Sequence, residues 1–185
     1  MECGLNGKIA VVINGKGGSG KDTICDIVAN HYNVKNISSI TPIKEIARIY
    51  GGYDGGKELK DRKFLSDLKQ LFTDYNDLPN AYCVNQFKEF MADGELEVFF
   101  AHIREPENIK KFVESVDGRC VTLLIRGGKS RSDVYGNRSD DDVEDYPYDF
   151  IFDNIGSLEN LDADFMNFFE NLKSEVEKNY YPHEM

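Results

Sequence analysis

The stretch VVINGKGGSGKDT, residues 11–23, has glycines and a lysine at the spacing of a phosphate-binding loop. Gly15, Gly20 and Lys21 fit the pattern G-x-x-x-x-G-K-[ST]. Glycines let backbone N–H groups turn inward around an anion, and a following helix presents its positive end. The lysine of this pattern contacts the β- and γ-phosphates. The stretch therefore predicts a nucleoside-triphosphate site formed by Gly15, Lys16, Gly17, Gly18, Ser19, Gly20 and Lys21.

The residue after the lysine departs from the pattern. A hydroxyl that holds Mg²⁺ is expected there, but the chain has Asp22, and the hydroxyl of Thr23 comes one place later. The Asp22 carboxylate could hold Mg²⁺ through water, Thr23 could replace the missing hydroxyl, or Asp22 could serve the acceptor. Asp22 and Thr23 both stay candidates for the metal, since no aspartate clearly ends a second buried strand.

Basic residues elsewhere could hold a second substrate. Arg104 follows an apolar strand at its carboxyl end, where α/β sheets bind ligands and where a guanidinium can grip a phosphate. The alternative for Arg104 is an ion pair with Glu105 or Glu107. The helix-rich region 41–95 adds further basic residues. The alternative for these is that they lie on a solvated helix surface and bind nothing. The candidate acceptor contacts are Ser39, Lys44, Arg62, Lys63 and Arg104.

A long polar stretch, residues 127–147, is the candidate lid. Mobile arginines that close over phosphates suit phosphoryl transfer, which depends on positioning and charge stabilisation. Glycines at 127 and 128 could act as its hinge. The alternative is a disordered acidic loop. The basic residues of interest in and beside the stretch are Arg126, Lys129, Arg131 and Arg138.

These residues need a scaffold of alternating strands and helices. Short apolar runs rich in β-branched or aromatic residues predict strands at 8–14, 34–40, 96–103, 120–126 and 150–154. Helical spacing of apolar residues predicts helices at 20–32, from Thr41 to the glycines at 51–52, and at 58–75, 81–92, 105–116 and 158–177. This alternation predicts a three-layer α/β domain with a five-stranded parallel sheet.

Composition narrows the class of protein. A chain of 185 residues is expected to form one domain, 1–185. A net charge of −11 argues against a binder of nucleic-acid polymers, because such binding needs Lys and Arg to neutralise phosphates. The four cysteines have no metal-site spacing, so free thiols in the cytoplasm are expected. We expect no signal peptide and no membrane span.

The chain resembles the deoxynucleoside monophosphate kinases of bacteriophages. The stretch SGKDT after a strand looks like their loop, and animal phosphomevalonate kinases are similar there, also with Asp after the Lys. TPIKEIARIYGG followed by LKDRKFLSDL resembles the acceptor segment of the family, and NRSDDDVEDYPYDFIFDNIGSLENL resembles its ending. FFAHIREPENIKKF resembles a strand that usually ends in Asp-Val-Arg, where this chain has His102-Ile103-Arg104.

The resemblance implies a P-loop fold like that of nucleoside-monophosphate kinases, transferring the γ-phosphoryl of ATP to a deoxynucleoside monophosphate with Mg²⁺. It implies an adenine-side loop at Asn154 and Gly156, with Arg126 also on the ATP side. The candidate catalytic residues are Lys21, Arg104, Arg131 and Arg138. Two alternatives are a kinase of another phosphorylated molecule, of the phosphomevalonate or dephospho-coenzyme A type, and a non-catalytic nucleotide-binding module. The expected partners are small-molecule nucleotides, and a homodimer stays open.

Overall fold

The computed structural model describes residues 7–56, 58–127, 142–157 and 159–180. Its centre is one sheet of five parallel strands in the order β2-β3-β1-β4-β5. The predicted five-stranded α/β fold is therefore confirmed. The strands are β1 (Ile9–Asn14), β2 (Val34–Ser38), β3 (Val98–His102), β4 (Val121–Gly127) and β5 (Phe150–Asn154). The helices are α1 (Lys21–Ala29), α2 (Thr41–Tyr50), α3 (Leu59–Asn76), α4 (Leu78–Ala92), α5 (Pro106–Ser115) and α6 (Leu161–Tyr180), with a 3₁₀ turn at Asp142–Glu144.

The two faces of the sheet carry two separate cores. Side chains alternate along a strand, so Val11 and Ile13 of β1 face α1 and α6, whereas Ala10 and Val12 face α4 and α5. All six residues of β1 are buried, which explains their near-continuous apolar character. The result is a three-layer arrangement with helices on both faces of the sheet.

The crossovers that leave β1 and β3 go to opposite faces of the sheet. The helix after β1, α1, packs in the first core, and the helix after β3, α5, packs in the second. The two strands are neighbours, with Ile13 opposite His102 at their carboxyl ends. Because the chain diverges here, a crevice opens beyond these strand ends, which is where open α/β sheets bind ligands.

The helix-rich region forms a lobe over this crevice. Pro42 lies in the first turn of α2, a position that costs no helical hydrogen bond. Ile43, Ala47 and Leu65 form a third buried cluster between α2 and α3. Asp77 alone joins α3 to α4, in a left-handed conformation with φ of 54°. Consequently α4 begins at Leu78, three residues before the predicted start.

The candidate lid is only partly described. Strand β4 ends at Gly127, and the predicted contacts Lys129, Arg131 and Arg138 lie outside the described residues. From 142 onward the chain packs against the body, with Val143 fully buried and the rings of Tyr146 and Tyr148 against the second core. Among the described helices, none has the length and apolar character needed to cross a bilayer.

Candidate functional site

The loop from Gly15 to Gly20 joins β1 to α1 in a conformation that needs glycine. Gly18 and Gly20 have φ of 83° and 94°, where a side chain is strained. A Cβ on Gly15 would lie 2.4 Å from the backbone oxygen of Ile125, and a Cβ on Gly20 would lie 2.6 Å from Nδ2 of Asn154. The loop thus curls tightly in front of the N-terminal end of α1, which fits a bound phosphate chain.

The ammonium of Lys21 contacts the loop itself. Its Nζ donates to the backbone oxygens of Gly15 and, at 3.0 Å, of Lys16, and it is 3.3 Å from Oγ of Ser19. Incoming phosphate oxygens would therefore meet a cation already held by the loop. Lys16 itself points outward, where its Nζ is 3.0 Å from Oε1 of Glu144.

Asn14, the last residue of β1, organises the base of the site and was missed by sequence reasoning. Its side chain is buried, and its Oδ1 accepts a hydrogen bond from the backbone N–H of Gly15 at 2.8 Å. Its Nδ2 donates to the backbone oxygen of Arg104 at 2.9 Å and to the hydroxyl of Tyr148 at 2.8 Å. The hydroxyl of Tyr148 in turn donates to the backbone oxygen of Val143. One amide thus joins the phosphate loop, the end of β3 and the segment after the candidate lid.

The predicted adenine-side residues lie at the end of β5. Nδ2 of Asn154 donates to the backbone oxygen of Ser19 at 3.0 Å, so this residue contacts the phosphate loop directly. Arg126 is exposed on β4 opposite Asp153, and Gly156 is exposed on the loop after β5. Asn154, Arg126 and Gly156 all lie outside the crevice lining, and their roles in ATP binding stay predictions.

A cavity of about 1160 Å³ lies between the phosphate loop, the ends of β1, β2 and β3, and the helical lobe. Its described lining is strongly cationic. The anionic side chains in the lining are Asp22 and Glu105. The cationic ones are Lys21, Lys44, Arg48, Arg62, Lys69 and Arg104.

The structure brings together most of the residues predicted to hold the acceptor. Ser39, Lys44, Arg62 and Arg104 line the cavity, as do the metal candidates Asp22 and Thr23. Lys63 does not line it. That residue lies on the exposed side of α3, where its Nζ is 2.7 Å from Oδ2 of Asp67. One step along a helix turns a side chain by about 100°, which separates Lys63 from its neighbour Arg62.

A buried ion pair crosses the cavity wall. Nζ of Lys69, on α3, is 2.6 Å from Oε2 of Glu105, just after β3, and the side chains are 11% and 23% exposed. Asn108 donates to the same oxygen at 3.2 Å. Burial raises the pKa of the Glu105 carboxyl, but the nearby Lys69 ammonium outweighs this, so the pKa lies below its usual value. The pair fixes the helical lobe against the turn that carries Arg104.

His102, which the sequence did not place among the candidate site residues, lies in the cavity lining. Its Nε2 is 3.7 Å from Sγ of Cys25. Burial lowers the pKa of the imidazole; Asp22 raises it, and Lys21 and Arg104 lower it further. The ring is therefore neutral at neutral pH. The sequence feature that could have indicated His102 is its position as a polar residue at the end of an apolar strand.

Magnesium would be held at the first turn of α1. Asp22 and Thr23 offer one carboxylate and one hydroxyl beside the phosphate loop. The described part of the chain contains no group of three His, Cys, Asp or Glu side chains that could cage a metal ion. A donor set this small fits a hard cation that keeps several waters and shares phosphate oxygens, as Mg²⁺ does.

Comparison with known proteins finds similar folds but no similar sequence family. No protein-family model and no curated protein sequence matches the chain. A gluconokinase from Sinorhizobium meliloti 1021 is 16% identical over 95% of this chain and 98% of that chain, with a TM-score of 0.53. A sugar kinase from Janibacter sp. HTCC2649 is 16% identical over 90% and 97%, with a TM-score of 0.46. The Mycobacterium tuberculosis APS kinase CysC is 10% identical over 88% and 98%, with a TM-score of 0.42. The likeness to the gluconokinase shows that the chain shares the α/β fold of that protein.

Proposed function

We propose that the chain is a small-molecule kinase that moves the γ-phosphoryl of ATP onto the phosphate of a deoxynucleoside monophosphate. The observation that carries this proposal is the charge of the cavity. The whole chain has a net charge of −11, yet among the described residues six cationic and two anionic side chains line this crevice. Such a concentration of positive charge in an acidic protein supports a site for highly anionic ligands.

The donor phosphates would occupy the loop. The backbone N–H groups around Gly18 and Gly20 and the end of α1 would bind the phosphate oxygens, and Lys21 would offset the charge on the transferred group. Asp22 and Thr23 would hold Mg²⁺, which would supply positive charge beside the phosphates. Asn14 would keep the start of the loop and the backbone of Arg104 in register.

The acceptor would lie under the helical lobe. Lys44, Arg48, Arg62 and Arg104 give this side of the cavity its positive charge, and Tyr53, Tyr82 and Leu65 provide rings and apolar surface for a base. A phosphate acceptor reaches the site already ionised, so it needs no base to remove a proton. This fits the lining, because Glu105 is engaged by Lys69 and Asp22 is then the remaining described carboxylate.

One residue favours a second candidate function. The neutral imidazole of His102 could accept a proton from an alcohol, which is the role of a general base. A kinase that phosphorylates a hydroxyl of an already phosphorylated molecule, of the dephospho-coenzyme A type, would use it in this way. His102→Gln separates the two, because it should halt transfer to a hydroxyl and leave transfer to a phosphate largely intact.

The deciding experiment is a coupled assay of ADP release with ATP, Mg²⁺ and a panel of acceptors. The panel holds deoxynucleoside and nucleoside monophosphates, phosphomevalonate, dephospho-coenzyme A and gluconate. We expect release with a deoxynucleoside monophosphate, and a loss of about a thousandfold in Lys21→Ala, since electrostatic stabilisation dominates such transfers. Lys110→Ala, an exposed lysine on α5, is the matched control. ADP release that no acceptor stimulates, or full turnover in Lys21→Ala, would contradict the proposal.

A further inference from the structure

Large apolar side chains are exposed mainly on one part of the surface. Among the described residues, eight large apolar side chains are clearly exposed, and two of these, Ile151 and Ile155, belong to β5 and the loop after it. Single exposed apolar residues are ordinary, but a cluster of them marks an interaction site. The other six lie on the end of α2 and on α3: Ile49, Tyr50, Leu59, Phe64, Leu71 and Tyr75. The ring of Phe64 packs next to Gly51 at the end of α2, so the two helices contribute to one surface.

The apolar residues of α3 have the spacing of a helix that packs against another helix. Phe64, Leu68, Leu71 and Tyr75 follow one another at intervals of four, three and four residues, the repeat of a coiled-coil seam. We call these four residues the α3 stripe. Leu71 and Tyr75 are 62% and 80% exposed, and Leu68 is half-buried. The opposite side of α3 is already used, since Leu65 packs in the lobe and Arg62 lines the cavity.

The charges beside the α3 stripe suit a second copy of the same helix. On one flank Lys60 lies near the start of α3 and Asp74 near its end, while Lys63 and Asp67 between them pair with each other at 2.7 Å. An antiparallel copy centred between residues 67 and 68 sets Phe64 opposite Leu71 of the second copy. It also brings Lys60 close to Asp74 of the second copy, so opposite charges meet at both ends.

We propose that this protein forms a homodimer in which α3 packs antiparallel against α3 of a second copy through the α3 stripe. The two-fold symmetry makes the contact self-complementary. The cavity lies on the other side of the same helix, about one helix diameter, roughly 10 Å, away. The interface therefore leaves the cavity mouth uncovered while holding the helix that forms part of its wall. This proposal is independent of the chemistry that the site performs.

Sedimentation-equilibrium ultracentrifugation of the full chain tests the proposal. The wild type should have twice the 21.1 kDa mass of one chain. Leu71→Glu and, as a second variant, Tyr75→Glu should weaken dimerisation by about a hundredfold or more, because each dimer would bury two unpaired carboxylates. Ile155→Glu is the matched control, since it changes an exposed isoleucine far from α3 in sequence. Circular dichroism should show the same helix content in all of them.

A charge exchange tests the antiparallel direction. Lys60→Glu and Asp74→Lys should each weaken dimerisation, and the two changes in one chain should restore it. A wild type of single-chain mass up to about 100 μM, where even weak specific pairs assemble, would overturn the proposal. Dimers that persist in both stripe variants would also overturn it, since the contact would then lie elsewhere. If the chain with both changes dimerises no better than the single variants, the antiparallel arrangement is overturned.

Discussion

Replacing Lys69 by Met removes one partner of the ion pair between the helical lobe and the turn after β3. Methionine keeps the length and apolar stem of lysine, so the packing of α3 changes little. The carboxylate of Glu105, 23% exposed, is then left without the ammonium 2.6 Å away. Breaking a buried pair costs about 3–5 kcal/mol because an uncompensated charge stays behind. Since Glu105 keeps some exposure and a hydrogen bond from Asn108, we expect about 3 kcal/mol.

A double-mutant cycle isolates this effect. Glu105→Gln should cost about 2–3 kcal/mol, because the Lys69 ammonium, 11% exposed, keeps a hydrogen-bond acceptor but loses its counter-charge. The double variant, which buries no lone carboxylate, should be more stable than the sum of the single losses by about 2 kcal/mol. Urea unfolding followed by circular dichroism at pH 7.5 gives the four free energies of unfolding that the cycle needs, those of the wild type and of the three variants.

The pair of Lys69 and Glu105 also predicts how the free energy of unfolding depends on pH. Because the pKa of Glu105 is lowered from its usual 4.5 in the folded state, its stabilisation is present above pH 4.5 and is lost as the pH falls through the lowered value. The stability of the wild type should therefore approach that of the double variant in acid. A Lys69→Met variant within about 0.5 kcal/mol of the wild type at pH 7.5, or additive losses in the cycle, would refute the reasoning.

Three further predictions concern the crevice. Asn14→Leu should lower the free energy of unfolding by about 2–3 kcal/mol, since it removes the side-chain partner of the Gly15 N–H and of the Arg104 backbone oxygen and one of two partners of the Tyr148 hydroxyl, and a loss near zero in urea unfolding would contradict the network. Asp22→Asn should raise the Mg²⁺ concentration for half-maximal rate more than Thr23→Ala does; the reverse order would make the hydroxyl the main metal contact. The ring signals of His102 in NMR should titrate below pH 6.5 because burial lowers its pKa, so its contribution to stability is lost as the pH falls below 6.5. A midpoint at or above 6.5 would contradict that placement.

Much of the fold could be predicted from local patterns. The apolar run that becomes β1 is buried on both sides, and Pro42 and Gly51 bound α2 as their backbone chemistry requires. The join between α3 and α4 could not be predicted in this way. Asp77 ends α3 and precedes α4 in a left-handed conformation. An aspartate adopts this conformation less readily than a glycine, so the residue type alone does not predict the turn.

The candidate site was predictable where it is formed by the backbone. Glycine spacing identified the loop, because strain and close approach leave few other residues able to serve there. Side chains that reach the site only through tertiary contacts were harder to predict from the sequence. Asn14 and His102 end apolar strands, but only the pairing of β1 with β3 brings them to one crevice. Arg62 and Lys63 look equivalent in sequence, and the face of α3 that packs on the lobe decides between them.

The contrast between the cationic cavity and the acidic chain has a consequence for the rate of binding. At 0.1 M salt the Debye length is about 10 Å, and an anionic ligand farther away than this is screened from the charges of the protein. At 0.01 M salt the Debye length is about 30 Å, so the ligand is repelled by the net charge of −11 from that distance. Only close to the mouth do the six cations of the lining dominate. Association should therefore become faster as salt is raised from low values, and slower again once the lining itself is screened. The ionic strength of fastest capture would then report the depth at which attraction overtakes repulsion.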